Sequence, residues 1–395
     1  MNKSTFLSVF LSLGMLACQS EQQTGLEVPV IDVRTAMQKD LPISLKSDVE
    51  RIEYIPLQTD DPYLISNLLN LQVSKDFLFM YNGKTAQILQ FDKRGKFIRQ
   101  IAREGNGPGE YGLVSELAID DNRNELSIFH QAGDVLVYSF EGDYLRSDTT
   151  MRQAAGMHVL ADGKVALEGS IMTPFHQAPW AGALKATNGA LESTKSLYPN
   201  SIKEDVRFMK DICFAPSAAG VLLFTACNDT VFRISSAGIK PACILKRDNA
   251  ANYYEGVSDI TKLRDNAFEN DETIGVYDLF ETPRHIYVRL YKGDGIYLQQ
   301  FNKETGALKS HLAPADYIKC SEAVPGNNVL GLDNDIDGGV PFWPEYACSD
   351  NKRAQVVSSY ILSAMREKGY LKDAPAALTI GEDDNPVVIL YTFKQ

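Results

Sequence analysis

One unit recurs along this chain: an apolar strand, a short polar turn carrying a glycine, and a second apolar strand. It reads FDKRGKFI, YSFEGDYL, LKATNGAL, FRISSAGI and FNKETGAL, with the turn glycines at Gly95, Gly142, Gly189, Gly238 and Gly306. Their spacings are 47, 47, 49 and 68, and the last falls into line if about 20 residues between Asn249 and Glu272 are an insertion in one repeat. Two further apolar segments precede each turn, as in Leu71–Val73 with Phe77–Tyr81, or Ile212–Phe214 with Val221–Thr225. Each repeat therefore holds four short strands, the pattern of a β-propeller blade; a sandwich of this length would not repeat itself at that interval.

Five blades are explicit. Residues 328–395 supply a sixth that is one strand short, with its terminal strand at Pro386–Phe393. The segment RIEYIPL, Arg51–Leu57, has no partner ahead of the first blade, so it is expected to complete the sixth and close the ring. Val356, Val357, Tyr360, Ile361, Ala364 and Met365 fall at helical spacing with Gly369 as a stop, and the alternative is a strand over Ala354–Ile361 before a shorter helix. The expected fold is all-β: a six-bladed β-propeller of four-stranded antiparallel blades, closed by an N-terminal strand, with a small helical insertion in the last blade. At 395 residues it would be one large domain over residues 27–395.

The first residues read differently. Lys3 precedes an apolar run, Phe6–Leu16, too short to span a bilayer, as in a signal peptide over residues 1–17. Met15-Leu16-Ala17-Cys18 resembles the lipobox of bacterial lipoproteins, with Met15 where leucine is usual. Cys18 would then carry the lipid, with residues 18–26 as a polar tether; an ordinary secretion signal is the alternative. Setting Cys18 aside leaves five cysteines, an odd number, so at least one thiol is free; a bridge among Cys213, Cys227 and Cys243 and buried free thiols both remain open. The formal charge of -12 argues against nucleic acid and against anionic membrane surfaces as partners.

IAREGNGPGEY after FDKRGKFI, the strand IEYIPLQ, the lipobox and the closing DNPVVILYTF together resemble the six-bladed β-propeller lipoproteins common in the Bacteroides group, relatives of TolB-like and NHL-like propellers. The resemblance implies architecture and a cell-envelope location more than an activity.

Chemistry is sparser. Gly105, Gly107, Pro108 and Gly109 build a rigid, non-helical loop between blades, and Arg103, Glu104, Glu110 and Tyr111 around it are candidate ligand contacts; the alternative is that the carboxylates satisfy backbone N–H groups and Tyr111 packs between blades. Trp180 and Trp343 are further candidates, suited to stacking on sugars if exposed and to interblade packing if buried. Asp333, Asp335, Asp337 and Gly338 match the first half of a calcium loop, whereas Pro344 occupies the position where an EF-hand needs glutamate. Ca²⁺ in a looser oxygen site is the one candidate cofactor, against an acidic turn. Zinc has no CxxC or Cys/His cluster to hold it. No HExxH or GxSxG appears, and His130 and His176 are the histidines at or near inter-strand loops.

Two functions follow. The first is a lipid-anchored binding or interaction module for a glycan, a peptide or another envelope protein; the second is a glycan hydrolase or lyase at the mouth of the central channel. Charged residues converging with a histidine or tyrosine at that mouth would favour the enzyme.

Overall fold

The computed structural model describes residues 28–130, 134–149, 154–169, 180–196, 212–225, 228–248, 273–313, 330–348, 351–371 and 373–395. The chain begins with β1 (Val30–Ile31), the short helix α1 (Val33–Ala36) and β2 (Val49–Pro56). Blade one follows as β3 (Leu68–Val73), β4 (Phe77–Asn82), β5 (Gln87–Asp92) and β6 (Phe97–Ile101), and blade two as β7 (Val114–Asp120), β8 (Glu125–His130), β9 (Val135–Ser139) and β10 (Tyr144–Asp148). Blade three is β11 (Ala154–Val159), β12 (Val165–Gly169), β13 (Gly182–Lys185) and β14 (Leu191–Lys195); blade four is β15 (Ile212–Ser217), β16 (Gly220–Thr225), β17 (Thr230–Ser235) and β18 (Gly238–Leu245). Blade five holds β19 (Gly275–Glu281), β20 (His285–Lys292), β21 (Gly295–Asn302) and β22 (Leu308–Leu312). Blade six holds β23 (Tyr346–Ala347), β24 (Lys352–Val357) and β25 (Val387–Phe393), completed by β2, which pairs antiparallel with β25 from Val49↔Phe393 to Pro56↔Val387. The expected propeller and its closing strand are both present.

Burial explains the strand sequences. A middle strand is covered by neighbouring blades on both faces, so it reads as an unbroken apolar run rather than an alternation. β16, GVLLFT, is buried at every position, whereas the outermost strand β10, YLRSD, is exposed at four of five. Six apolar clusters lie between the blades, such as Phe79, Tyr81, Leu117 and Ile128 between blades one and two. All five turn glycines adopt positive φ, from +69° to +101°, conformations that glycine reaches without steric cost.

The last blade resolves its ambiguity between both readings. β24 ends at Val357, Ser358 breaks the strand, and helix α2 (Ser359–Glu367) lays Ile361, Leu362 and Met365 on the core between blades five and six. Gly369 follows with φ +77°.

Residues 30–48 hold something the sequence reading lacks. β1 adds to the outer edge of blade four in parallel with β18, making that sheet five-stranded. The strap then crosses blade five, where Leu41 N donates to Ser310 O at 2.7 Å and Gln299 Nε2 donates to Val33 O at 2.9 Å. Only then does the chain reach blade six as β2.

Candidate functional site

In four antiparallel strands, the first-to-second and third-to-fourth turns fall at one end of the channel. The described structure there has short turns, from two residues between β15 and β16 to five between β11 and β12 or β21 and β22. The opposite end takes the long connections: residues 246–274 separate β18 from β19, and residues 313–345 separate β22 from β23.

At the short-turn end a cavity of about 270 Å³ opens between blades four, five and six. Its wall is Pro216–Ala219, Glu281–Pro283, Lys303, Cys348 and Asn351–Arg353, with Phe393 behind. These are the first turns of three successive blades, with Lys303 from the last turn of blade five. Arg353 lies on the second strand, where it pairs with Ala347 of the two-residue β23, and its side chain forms part of the cavity wall.

Arg353 is 4 % exposed and bridges blades, its Nη1 donating to Pro216 O of blade four at 2.9 Å. Nε and Nη2 donate to Pro344 O and Glu345 O at 2.9 and 3.0 Å, and the guanidinium lies 4.8 Å from the Phe280 ring centroid. Burial away from water pulls it down to about 10, which still leaves it charged at neutral pH.

Glu281 is the buried acid of the wall. Arg233 holds it through two bonds of 2.7 and 2.8 Å, Lys303 Nζ donates at 2.9 Å and Ser217 Oγ at 3.0 Å. Desolvation alone would raise this carboxyl, but the hydrogen bonds and charge of Arg233, with Lys303 behind them, outweigh it and hold the group below its ordinary range. Burial pushes the Cys348 thiol up to about 12 against the pull of Lys93, Arg353 and Lys352, so it is a neutral thiol.

Deeper along the channel, Arg289 grips Asp278 with bonds of 3.0 and 2.6 Å and lies 4.9 Å from the Trp343 ring centroid. Trp343 Nε1 donates to the same Asp278 carboxylate at 3.1 Å. On blades two and three, a Cβ added to Gly156 would stand 3.3 Å from side-chain atoms of both Glu116 and Glu168.

The residues singled out from sequence do not meet at this mouth. Arg103, Glu104 and Glu110 are exposed on the β6–β7 connection at the opposite end, where Glu110 accepts Gly107 N at 2.8 Å. Tyr111 is fully buried between blades one and two, and its hydroxyl donates to Ala86 O at 2.6 Å. Trp180 and Trp343 are buried in the cores between blades two and three and between five and six.

Two carboxylates of the acidic loop have hydrogen-bond donors around them. Asp335 accepts Ser44 Oγ at 2.6 Å and Leu45 N at 3.0 Å, while Asp337 accepts Tyr54 Oη at 3.0 Å and Asn334 Nδ2 at 2.8 Å. Asp335 thus pins the N-terminal strap, and Asp337 holds Tyr54 of the closing strand β2. Among the described residues no group of three or more histidine, cysteine or acidic side chains is placed to hold a metal ion. Cys213 and Cys243 are free thiols; Cys18, Cys227 and His176 lie outside the described residues.

Arg353, Lys352 and Glu281 were missed because the blades that join them are distant in sequence. The one local signal was Arg353 and Gln355 at buried positions of a strand otherwise reading as core.

A family model described as a domain of unknown function (DUF4934) matches residues 28–392. A crystal structure from Bacteroides fragilis, described as exported, is similar at TM-score 0.66 and 17 % identity, covering 90 % of this chain and 98 % of that one. A member of the DUF4221 family from Bacteroides vulgatus is similar at TM-score 0.51 and 9 % identity, covering 88 % and 97 %. At these identities the likeness concerns the fold. No curated protein matches the sequence. Among the described residues no helix is long and apolar enough to cross a membrane.

Proposed function

Because the chain belongs to the DUF4934 family of domains of unknown function, we propose that it is a lipid-anchored cell-envelope propeller that binds a small ligand at the short-turn mouth of its channel. The carrying observation is the cavity among blades four, five and six. Its acid, Glu281, is already locked by two cations and a hydroxyl, so it is a poor proton carrier. Among the described residues the wall includes no histidine or tyrosine, which favours binding over catalysis. The description of the similar Bacteroides fragilis protein as exported supports the envelope address, and the lipobox-like stretch at Cys18 supports the anchor.

Thermal shift of the full chain against glycans and short peptides tests the binding site, because a ligand of the folded state raises its melting temperature. Hits should disappear in Ala219→Trp, which fills the mouth; hits unchanged by that substitution would move the site elsewhere. Cys18→Ser should release the protein from membranes in detergent partitioning, and unchanged retention would remove the anchor.

A glycan hydrolase or lyase is the second reading, favoured by the approach of two acidic side chains, Glu116 and Glu168, to Gly156. Cleavage of any glycan in the panel, abolished by Glu116→Gln or Glu168→Gln, would select it.

A further inference from the structure

The wall of the mouth is charged against the rest of the molecule. The chain carries a formal charge of -12, yet among the described residues the cavity is lined by Lys303, Lys352 and Arg353 with Glu281 as the one carboxylate. Arg233 stands behind Glu281 and shares it with Lys303, so this acid is consumed by two cations at once. The guanidinium of Arg353 gives all its described hydrogen bonds to backbone carbonyls, with no carboxylate within 4 Å among the described residues. Lys352 lines the cavity half-buried, and its ammonium has no hydrogen bond or ion pair among the described residues; the side-chain amide of Asn351 beside it has none either.

A fifth cation stands close by. Lys93, in the outer turn of blade one, also lacks a hydrogen-bonding side-chain partner among the described residues. Burial is the largest cause and lowers its pKa; Cys348 opposes this, the charge of Lys352 lowers it further, and Asp121 and Glu53 give smaller support to the charged form. Like charges gathered in a partly desolvated place repel one another, and an anion in their midst offsets that cost.

We propose that the mouth is an anion site, taking a ligand that carries a carboxylate, sulfate or phosphate on a body about the size of a monosaccharide. Lys352 and Asn351 would hold the anion at the rim, with Lys303 and Arg353 setting the field beneath. A lone ammonium is a point charge rather than a planar fork, so it accepts tetrahedral and planar anions alike. The cavity of about 270 Å³ is room for roughly nine waters at about 30 Å³ each, just below the range of drug-sized pockets. Pro216, Ala218, Ala219 and Pro283 supply apolar wall for the body of the ligand. The inference rests on the binding reading above and adds the chemical class.

Calorimetry on the full chain at low ionic strength, with galacturonate, galactose 6-sulfate, galactose and inorganic sulfate as probes, tests it. Galacturonate or galactose 6-sulfate should bind and galactose should not. Lys352→Gln should weaken the acidic probe by at least about tenfold, the loss of one charge-assisted contact, and Lys352→Arg should restore most of it. Raising salt should weaken the wild type and leave Lys352→Gln less affected. Galactose binding as tightly as galacturonate, or unchanged affinity in Lys352→Gln, would overturn the anion class while leaving a mouth that Ala219→Trp still blocks. Inorganic sulfate binding as tightly as the sugar acids would support the anion and overturn the sugar-sized body. No binding by any acidic probe would overturn the proposal as a whole.

Discussion

The hydroxyl of Tyr287 in blade five donates at 2.9 Å to the buried carboxylate of Asp48, the residue that stands immediately before the closing strand. Thr282 Oγ1 donates to the same oxygen at 2.9 Å, and His285 Nδ1 lies 2.9 Å from the other. Lys394 N donates to the backbone carbonyl of Asp48 at 2.8 Å. One residue thus ties the N-terminal strap, blade five and the C-terminus together, next to the turn that lines the mouth.

Removing that carboxylate leaves Tyr287 with no acceptor in a buried site. Asp48→Ala is expected to cost about 2–3 kcal/mol, the scale for leaving buried hydrogen-bonding groups without their partner. Urea unfolding should show a lower midpoint at similar slope; a midpoint equal to wild type would mean the network contributes nothing net.

Ring closure should depend on β2 as a whole. Deleting residues 48–58 removes the outer strand of blade six and leaves β25 as an open edge beside blade one. The expected result is loss of a single cooperative unfolding transition in calorimetry. A truncated chain melting as sharply as wild type would show that three strands suffice.

The turn glycines should not be equivalent. At Gly238, φ +101°, an added Cβ meets nothing within 4 Å, so Gly238→Ala should cost only the backbone strain, about 1–2 kcal/mol. At Gly95, φ +83°, the same atom would stand 2.2 Å from Pro56 O at the end of the closing strand. Gly95→Ala is therefore expected to lower the melting temperature more than Gly238→Ala, and the reverse order in paired melts would contradict this packing.

His158 gives the folded chain a pH signature. Burial, with the Arg353 charge acting in the same direction, pulls its imidazole down to about 4 from an ordinary 6.5. The unfolded chain then binds the proton more readily, so stability is fully present above about 6.5 and declines as pH falls toward about 4, by at most about 3 kcal/mol. His158→Gln should flatten that part of the stability profile measured by urea unfolding; an identical slope in both proteins would exclude His158 as its source.

The sequence by itself determined the period, the four strands per blade and the closing strand. These are local or pairwise properties: a glycine that must turn at positive φ, a strand apolar on both faces because it lies between two blades, and a strand with no neighbour before it in the chain. It also held the two readings of residues 354–365 in balance, since Val356 and Val357 fit both periods until Ser358 breaks the strand. Tertiary structure alone decided the rest. β1, two residues long, has no pattern to read and exists because blade four offers an open edge at the rim. Asp335 and Asp337 sit at calcium-loop spacing, but the closing of the ring brings Ser44, Leu45 and Tyr54 to them, and those donors take up their charge. The mouth is the strongest case. Pro216, Glu281, Lys303 and Arg353 are distant in sequence and become neighbours only when the ring closes, because circular symmetry carries the first turns of successive blades to one axis.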